Sequence, residues 1–145
     1  MNNNPETQLA TAIRALVTRL VKKLRKESAT GQQLSLTERS TMGLLAQYQK
    51  LLPSELAAME KITNQSMSSV LNNLYSLGYI TRTASKTDRR KVYIALSNAG
   101  EQFLLQMRSE RDEWLAKAIR EKCTAEEQEW LYRALVPLKK LVDFE

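Results

Sequence analysis

The chain has 145 residues, 43% of them hydrophobic and 26% charged, which suits one ordinary domain with a core and excludes a disordered or fibrous protein. Its formal charge of +6 is regional. Residues 1–100 carry 14 Lys and Arg against 6 Asp and Glu, whereas residues 101–145 carry 8 against 10, so the basic part calls for a polyanionic partner, either nucleic acid or an anionic membrane surface.

The sequence contains no histidine and one cysteine, Cys123. That removes the commonest general base and zinc ligand, any internal disulfide and any multi-cysteine zinc site. Neither GxxxxGK(S/T) nor GxGxxG occurs, and Gly31, Gly43, Gly78 and Gly100 are scattered. No cofactor or metal is expected, and no residue is assigned a catalytic role. No apolar run is long enough to span a bilayer, and the start MNNNPETQ lacks the basic-then-apolar order of a signal peptide, so the chain is expected in the cytoplasm.

Leu9, Ile13, Leu16, Val17, Leu20 and Leu24 recur at helical spacing and predict a long amphipathic helix ending near SATGQQ. A second helix is expected from LSLTERS, capped by Thr37, through Met42, Leu45 and Ala46. Pro53 suits the first turn of a third, PSELAAME, and Thr63 can cap a fourth that ends at Gly78. After Gly78 the period falls to two: YITRTA and KVYIAL read as strands, joined by a projecting loop from Ser85 to Arg90. Ser97 then caps a long helix with Phe103, Leu104, Met107 and Trp114. Thr124 and Glu127 form a capping box for the last, in which Pro137 is expected to bend or restart the helix.

From Ile62 to Thr81 there is no charged residue. Met67, Val70, Leu71 and Leu74 form a stripe for burial. The other face offers Asn64, Gln65, Ser66, Ser68, Ser69 and Asn72, where a solvated helix would carry Lys and Glu. Asn, Gln and Ser can read base edges in a major groove, or the helix is buried on both sides. The loop SKTDRRK holds Lys86, Arg89, Arg90 and Lys91 around Asp88. By itself such a loop is a solvated tip. Directly after an uncharged polar helix, it supplies the backbone-holding half of DNA recognition. The arrangement is mainly α with a small β-hairpin wing, a winged helix-turn-helix.

The segment SELAAMEKITNQSMSSVLNNLYSLGYITRTASKTDRRKVYIALSNAGEQFL, with SELAA, SMSSVLNNL, LGYI, DRR and LSNAG in order, resembles the MarR family of bacterial transcriptional regulators. The resemblance implies that Arg90 enters a minor groove with Asp88 orienting it. It departs from the family at Ser69, where a basic residue is frequent, and at Leu52, where a Thr cap is frequent. It implies a DNA-binding lobe at 35–98 and a helical homodimerisation region at 5–34 and 99–145. It also implies a pseudo-palindromic operator and a small aromatic or anionic effector between the two regions. Candidates for that crevice are Arg14, Met42, Tyr48 and Met107. Cys123 is read as a structural thiol. The rival classes are a membrane-surface protein using RLVKKLRK as a cationic face and a non-specific nucleoid protein.

Overall fold

The computed structural model describes residues 4–145; Met1–Asn3, part of the start read as lacking signal order, lie outside it. Six helices and a small sheet follow in the order α1 (Pro5–Lys26), α2 (Leu36–Tyr48), β1 (Lys50–Leu51), α3 (Pro53–Glu60), α4 (Asn64–Ser76), β2 (Ile80–Ala84), β3 (Val92–Leu96), α5 (Asn98–Lys122) and α6 (Ala125–Val142). A 3-10 turn, Gly31–Gln33, separates α1 from α2. None of the helices is long and apolar enough to cross a membrane among the described residues.

Most helix starts follow the expected cap chemistry. The Thr63 hydroxyl accepts the Ser66 N–H at 3.0 Å, and Ser97 accepts that of Gly100 at 3.0 Å. Thr124 and Glu127 exchange hydrogen bonds of 3.1 and 2.9 Å in a full capping box. The hydrogen bond from the Thr124 backbone N–H, and after it that of the Thr124 side chain, hold the Glu127 carboxyl below its ordinary range. The α2 start differs from expectation. Ser35, not Thr37, is the cap: its hydroxyl accepts the Glu38 N–H at 3.1 Å while Glu38 accepts the Ser35 N–H at 3.4 Å. The S-x-x-E spacing begins at Ser35, which places Thr37 inside the first turn. At α3, Leu52 supplies no acceptor, yet the Glu55 carboxylate takes its N–H at 3.0 Å and Pro53 fills the first turn.

Two further expectations need correcting. The sheet is not a bare hairpin, because Lys50 and Leu51 pair antiparallel with Ala95 and Ile94 and make a three-stranded sheet of order β1-β3-β2. The last helix also does not restart at Pro137 but continues through it as α6, Ala125–Val142. The carbonyl that loses its partner, four residues earlier at Arg133, sits on an exposed helix where water can serve it.

One core holds the lobe together. Met42 and Leu45 of α2, Leu56 of α3, Met67, Leu71 and Leu74 of α4 and Ile94 of β3 are buried, and Phe103, Leu104 and Met107 bring the first half of α5 into the same cluster. The residue leading into β2 abuts α5 so closely that a Cβ at Gly100 would lie 2.1 Å from the Tyr79 carbonyl oxygen, and the Tyr79 ring packs on Phe103 at a tilt of 40° with centroids 4.7 Å apart. The turn after α1 is fastened to α5 by Glu110, which accepts the hydroxyls of Ser28 (2.6 Å) and Thr30 (2.7 Å). Those hydrogen bonds, Ser28 first, hold the Glu110 carboxyl below its ordinary range.

The terminal helices behave differently: neither α1 nor α6 buries a single residue. Leu9, Leu16, Val17, Leu20 and Val21 of α1 are exposed, as are Trp130, Leu131, Leu135, Leu138 and Leu141 of α6. Their stripes are apolar at helical spacing, which is the pattern of faces that pack against something.

Candidate nucleic-acid interface

Helix α3, the turn at Lys61–Thr63 and helix α4 form the helix-turn-helix. Lys61 takes the left-handed conformation (φ 56°), and the N–H groups of Lys61 and Ile62 close α3 on the carbonyls of Ala58 (3.2 Å) and Ala57 (3.0 Å). That sharp stop lets α4 start three residues later in a new direction. Met67, Leu71 and Leu74 anchor α4 in the core, which turns its other face outward. Asn64, Gln65, Ser66, Ser68, Ser69 and Asn72 are all exposed. Burial on both sides is therefore not the explanation for the missing charges, at least within one chain.

The wing runs from Ser85 to Lys91 and closes on its own polar groups. The Ser85 N–H donates to the Lys91 carbonyl at 2.8 Å, and the Ser85 hydroxyl accepts the N–H groups of Thr87 and Asp88 at 3.3 Å. The Asp88 carboxylate accepts the Arg90 backbone N–H at 3.1 Å. It thus shapes the loop through the main chain of Arg90 and leaves the guanidinium free. Lys86, Arg89, Arg90 and Lys91 are all exposed. The three ion pairs among the described residues, Lys117–Glu121, Arg133–Glu129 and Lys139–Asp143, lie on α5 and α6, so none neutralises the wing.

Helix and wing meet. Asn64 and Ser68 of α4, Arg90 and Lys91 of the wing, Val92 at the start of β3, and Leu52, Pro53 and Ser54 at the start of α3 line one open concavity of about 470 Å³. Uncharged hydrogen-bonding groups and unpaired cations thereby share a single surface, as a reader of base edges flanked by phosphate contacts requires.

The four residues named for an effector crevice do not come together. Met42 is wholly buried in the core. Arg14 lies midway along α1 and Tyr48 is exposed at the end of α2, and neither lines the cavity between α1, α2 and α5. Only Met107 does. That cavity, about 480 Å³, is ringed instead by Arg25, Arg39, Arg108 and Arg111, with Leu36 and Leu104 beside Met107. The Nε atoms of Arg39 and Arg111 are buried without a hydrogen-bond partner among the described residues. Burial lowers the affinity of Arg111 for its proton, and the charges of Arg39, Arg25 and Arg108 act in the same sense. Glu60, the one carboxylate on the lining, accepts the Ser40 hydroxyl at 2.5 Å. Sequence reasoning missed this cluster because its members sit on three helices; only the i, i+3 spacing of Arg108 and Arg111 was there to be read. Cys123 is half-buried at the junction of α5 and α6.

A sequence model of the MarR family matches residues 34–92, the span from the end of the 3-10 turn to the start of β3. A Pseudomonas aeruginosa PA01 protein described as a transcriptional regulator is 30% identical, with 99% of each chain covered and a TM-score of 0.77. The chain belongs to the MarR family. An HTH-type transcriptional regulator of Mycobacterium bovis is 29% identical over 114 residues, 79% of each chain. A mutant of MepR from S. aureus, solved bound to an oligodeoxyribonucleotide, shares the fold at 20% identity and a TM-score of 0.70, covering 93% of this chain and 98% of that one. This MarR-family chain is accordingly a transcriptional regulator with a DNA-binding winged-helix fold, not an enzyme.

Proposed function

We propose that the chain is a homodimeric repressor that occupies a pseudo-palindromic operator, with α4 in the major groove and the wing on the flanking backbone and minor groove. The observation that carries this reading is the shared concavity in which Asn64 and Ser68 stand beside Arg90 and Lys91. Gln65, Ser66, Ser69 and Asn72 extend the base-reading face, and Lys86, Arg89 and Lys91 supply phosphate contacts around Arg90. The DNA-bound MepR relative supports the same use of the fold.

The proposed dimerisation region at 5–34 and 99–145, beside a lobe at 35–98, is supported by the apolar surface left over on α1 and α6, while the first half of α5 packs into the lobe core. The stripes of α1 and α6 stay exposed among the described residues, and a second copy related by a two-fold axis offers matching faces. Such a dimer binds two half-sites whose centres lie about one helical turn, or a multiple of it, apart. Footprinting on the DNA flanking its own gene is expected to show paired protections at that spacing. Uniform weak protection would instead indicate a non-specific nucleoid protein. The membrane-surface alternative leaves the charge-free α4 and the unpaired wing without a role, and the family does not favour it.

The arginine-ringed cavity supports an anionic effector. Arg39 and Ser40 line it from α2, and the adjacent Glu38 on the same helix accepts the Asn73 amide of α4 at 2.6 Å. An anion drawing Arg39 inward would therefore act on the element that touches the recognition helix. Benzoate and inorganic phosphate are suitable probes, in calorimetric titrations of the dimer with and without duplex. Arg111→Ala is expected to weaken binding of the preferred probe by about tenfold, as loss of a charge-assisted hydrogen bond would. Equal binding of both probes by wild type and Arg111→Ala would remove this role from the cavity.

A further inference from the structure

On the exposed side, Arg82 joins the recognition helix to the sheet through two polar contacts. Arg82, on β2, donates from Nη2 to the Asn72 amide oxygen at 2.7 Å and lays its guanidinium 4.5 Å from the centre of the Tyr75 ring. Asn72 and Tyr75 are three residues apart on α4, so they share a face. The stack and the hydrogen bond hold Arg82 from two sides, and Arg82 enters no ion pair among the described residues.

The direction of the hydrogen bond is not a matter of choice. Arginine has only donors, so the oxygen end of Asn72 must turn toward it. The amino end of Asn72 has no hydrogen-bond partner among the described residues. Its neighbour Asn73 is held in the opposite sense, spending its amino group on Glu38 at 2.6 Å. Asparagine recognises adenine by using both ends at once, accepting from N6–H and donating to N7. With the oxygen turned to Arg82, one of its two acceptor sites is taken and the amino group is the end of Asn72 left unengaged. Donors match base edges that present acceptors, the O6 and N7 of guanine or the O4 of thymine.

We infer that Arg82 is a positioning residue that fixes Asn72 as a hydrogen-bond donor, and so turns the base preference of the recognition helix at one step of the operator toward guanine or thymine and away from adenine. The inference rests on the reading that α4 enters the major groove.

The test is selection of binding sites from a randomised duplex library by the full-length protein, with wild type, Asn72→Ala, Arg82→Met and Arg82→Lys in parallel. Methionine keeps a long stem over Tyr75 but no donor, whereas lysine keeps a donor. Wild type should enrich guanine or thymine at a position that Asn72→Ala flattens. Arg82→Met should shift that same position toward adenine by about tenfold in relative affinity, the smaller end of a good base contact, while Arg82→Lys keeps the wild-type preference. Thermal unfolding of each variant confirms that only the exposed contact has changed. If Arg82→Met weakens all sequences alike and leaves the preference intact, Arg82 is a phosphate contact and the inference fails. A selected sequence indifferent to Asn72→Ala overturns the inference alone. Failure of wild type to enrich any sequence overturns it together with the reading of α4.

Discussion

A chain ending before Thr124 is expected to lose the dimer and to aggregate or fail to fold, and so is one beginning after Gly31. The five large side chains exposed on α1 and the eight on α6 are unpaired within one chain. Each contributes about 1.5–3 kcal/mol when transferred from water into an interface. Even partial burial of that set in a dimer rivals the ~5–15 kcal/mol that separates a folded domain from its unfolded state. Removing α6 strips its partners from both copies and leaves an apolar patch far larger than soluble monomers tolerate. Light scattering with thermal unfolding reads the outcome. A soluble monomer of either truncation, melting at the full-length temperature, would show that the lobe and α5 stand alone and that the terminal helices do not interlock.

Arg90→Ala is expected to weaken duplex binding by about 1–3 kcal/mol with no loss of fold. Its planar guanidinium suits a narrow minor groove, where the negative potential is enhanced. That side chain is exposed and enters no ion pair among the described residues, while the loop bonds that involve Arg90 use its main chain, which alanine retains. Fluorescence anisotropy against a duplex, paired with thermal unfolding, separates the two effects. Undiminished affinity in a well-folded variant removes the wing from the interface.

Local signals made much of this legible in the sequence. The caps at Thr63, Ser97 and Thr124 follow from residues three apart, and the stripe of α4 follows from Met67, Leu71 and Leu74. The charge-free helix and the basic loop needed only composition. What escaped depended on distant partners. Strand β1 is two residues long and exists because Lys50 and Leu51 meet Ala95 and Ile94 across more than forty residues of chain. The cation ring draws on α1, α2 and α5, and no window along the chain contains it. The burial of Met42 escaped for a related reason: an apolar residue on an amphipathic helix carries no mark of whether it faces a crevice or the centre of the core. Thr37 lost to Ser35 because two hydroxyl residues stood within reach of the same turn, and only Ser35 has a glutamate three residues on.

The most direct test of the division of labour between helix and wing is a set of duplex titrations at several salt concentrations, on a selected operator and on scrambled DNA. Each phosphate neutralised by a cation adds about 0.9 to the slope of log affinity against log salt. Arg89→Ala or Lys91→Ala is therefore expected to lower the slope by about 1 and to weaken both duplexes alike. The stretch Ile62 to Thr81 has no charge to contribute. Ser68→Ala and Asn72→Ala should leave the slope nearly constant while narrowing the gap between operator and scrambled DNA by about 1–3 kcal/mol where a good base contact is lost. An unchanged gap in both helix variants would contradict sequence reading by α4 and leave a protein that binds DNA through its charge alone.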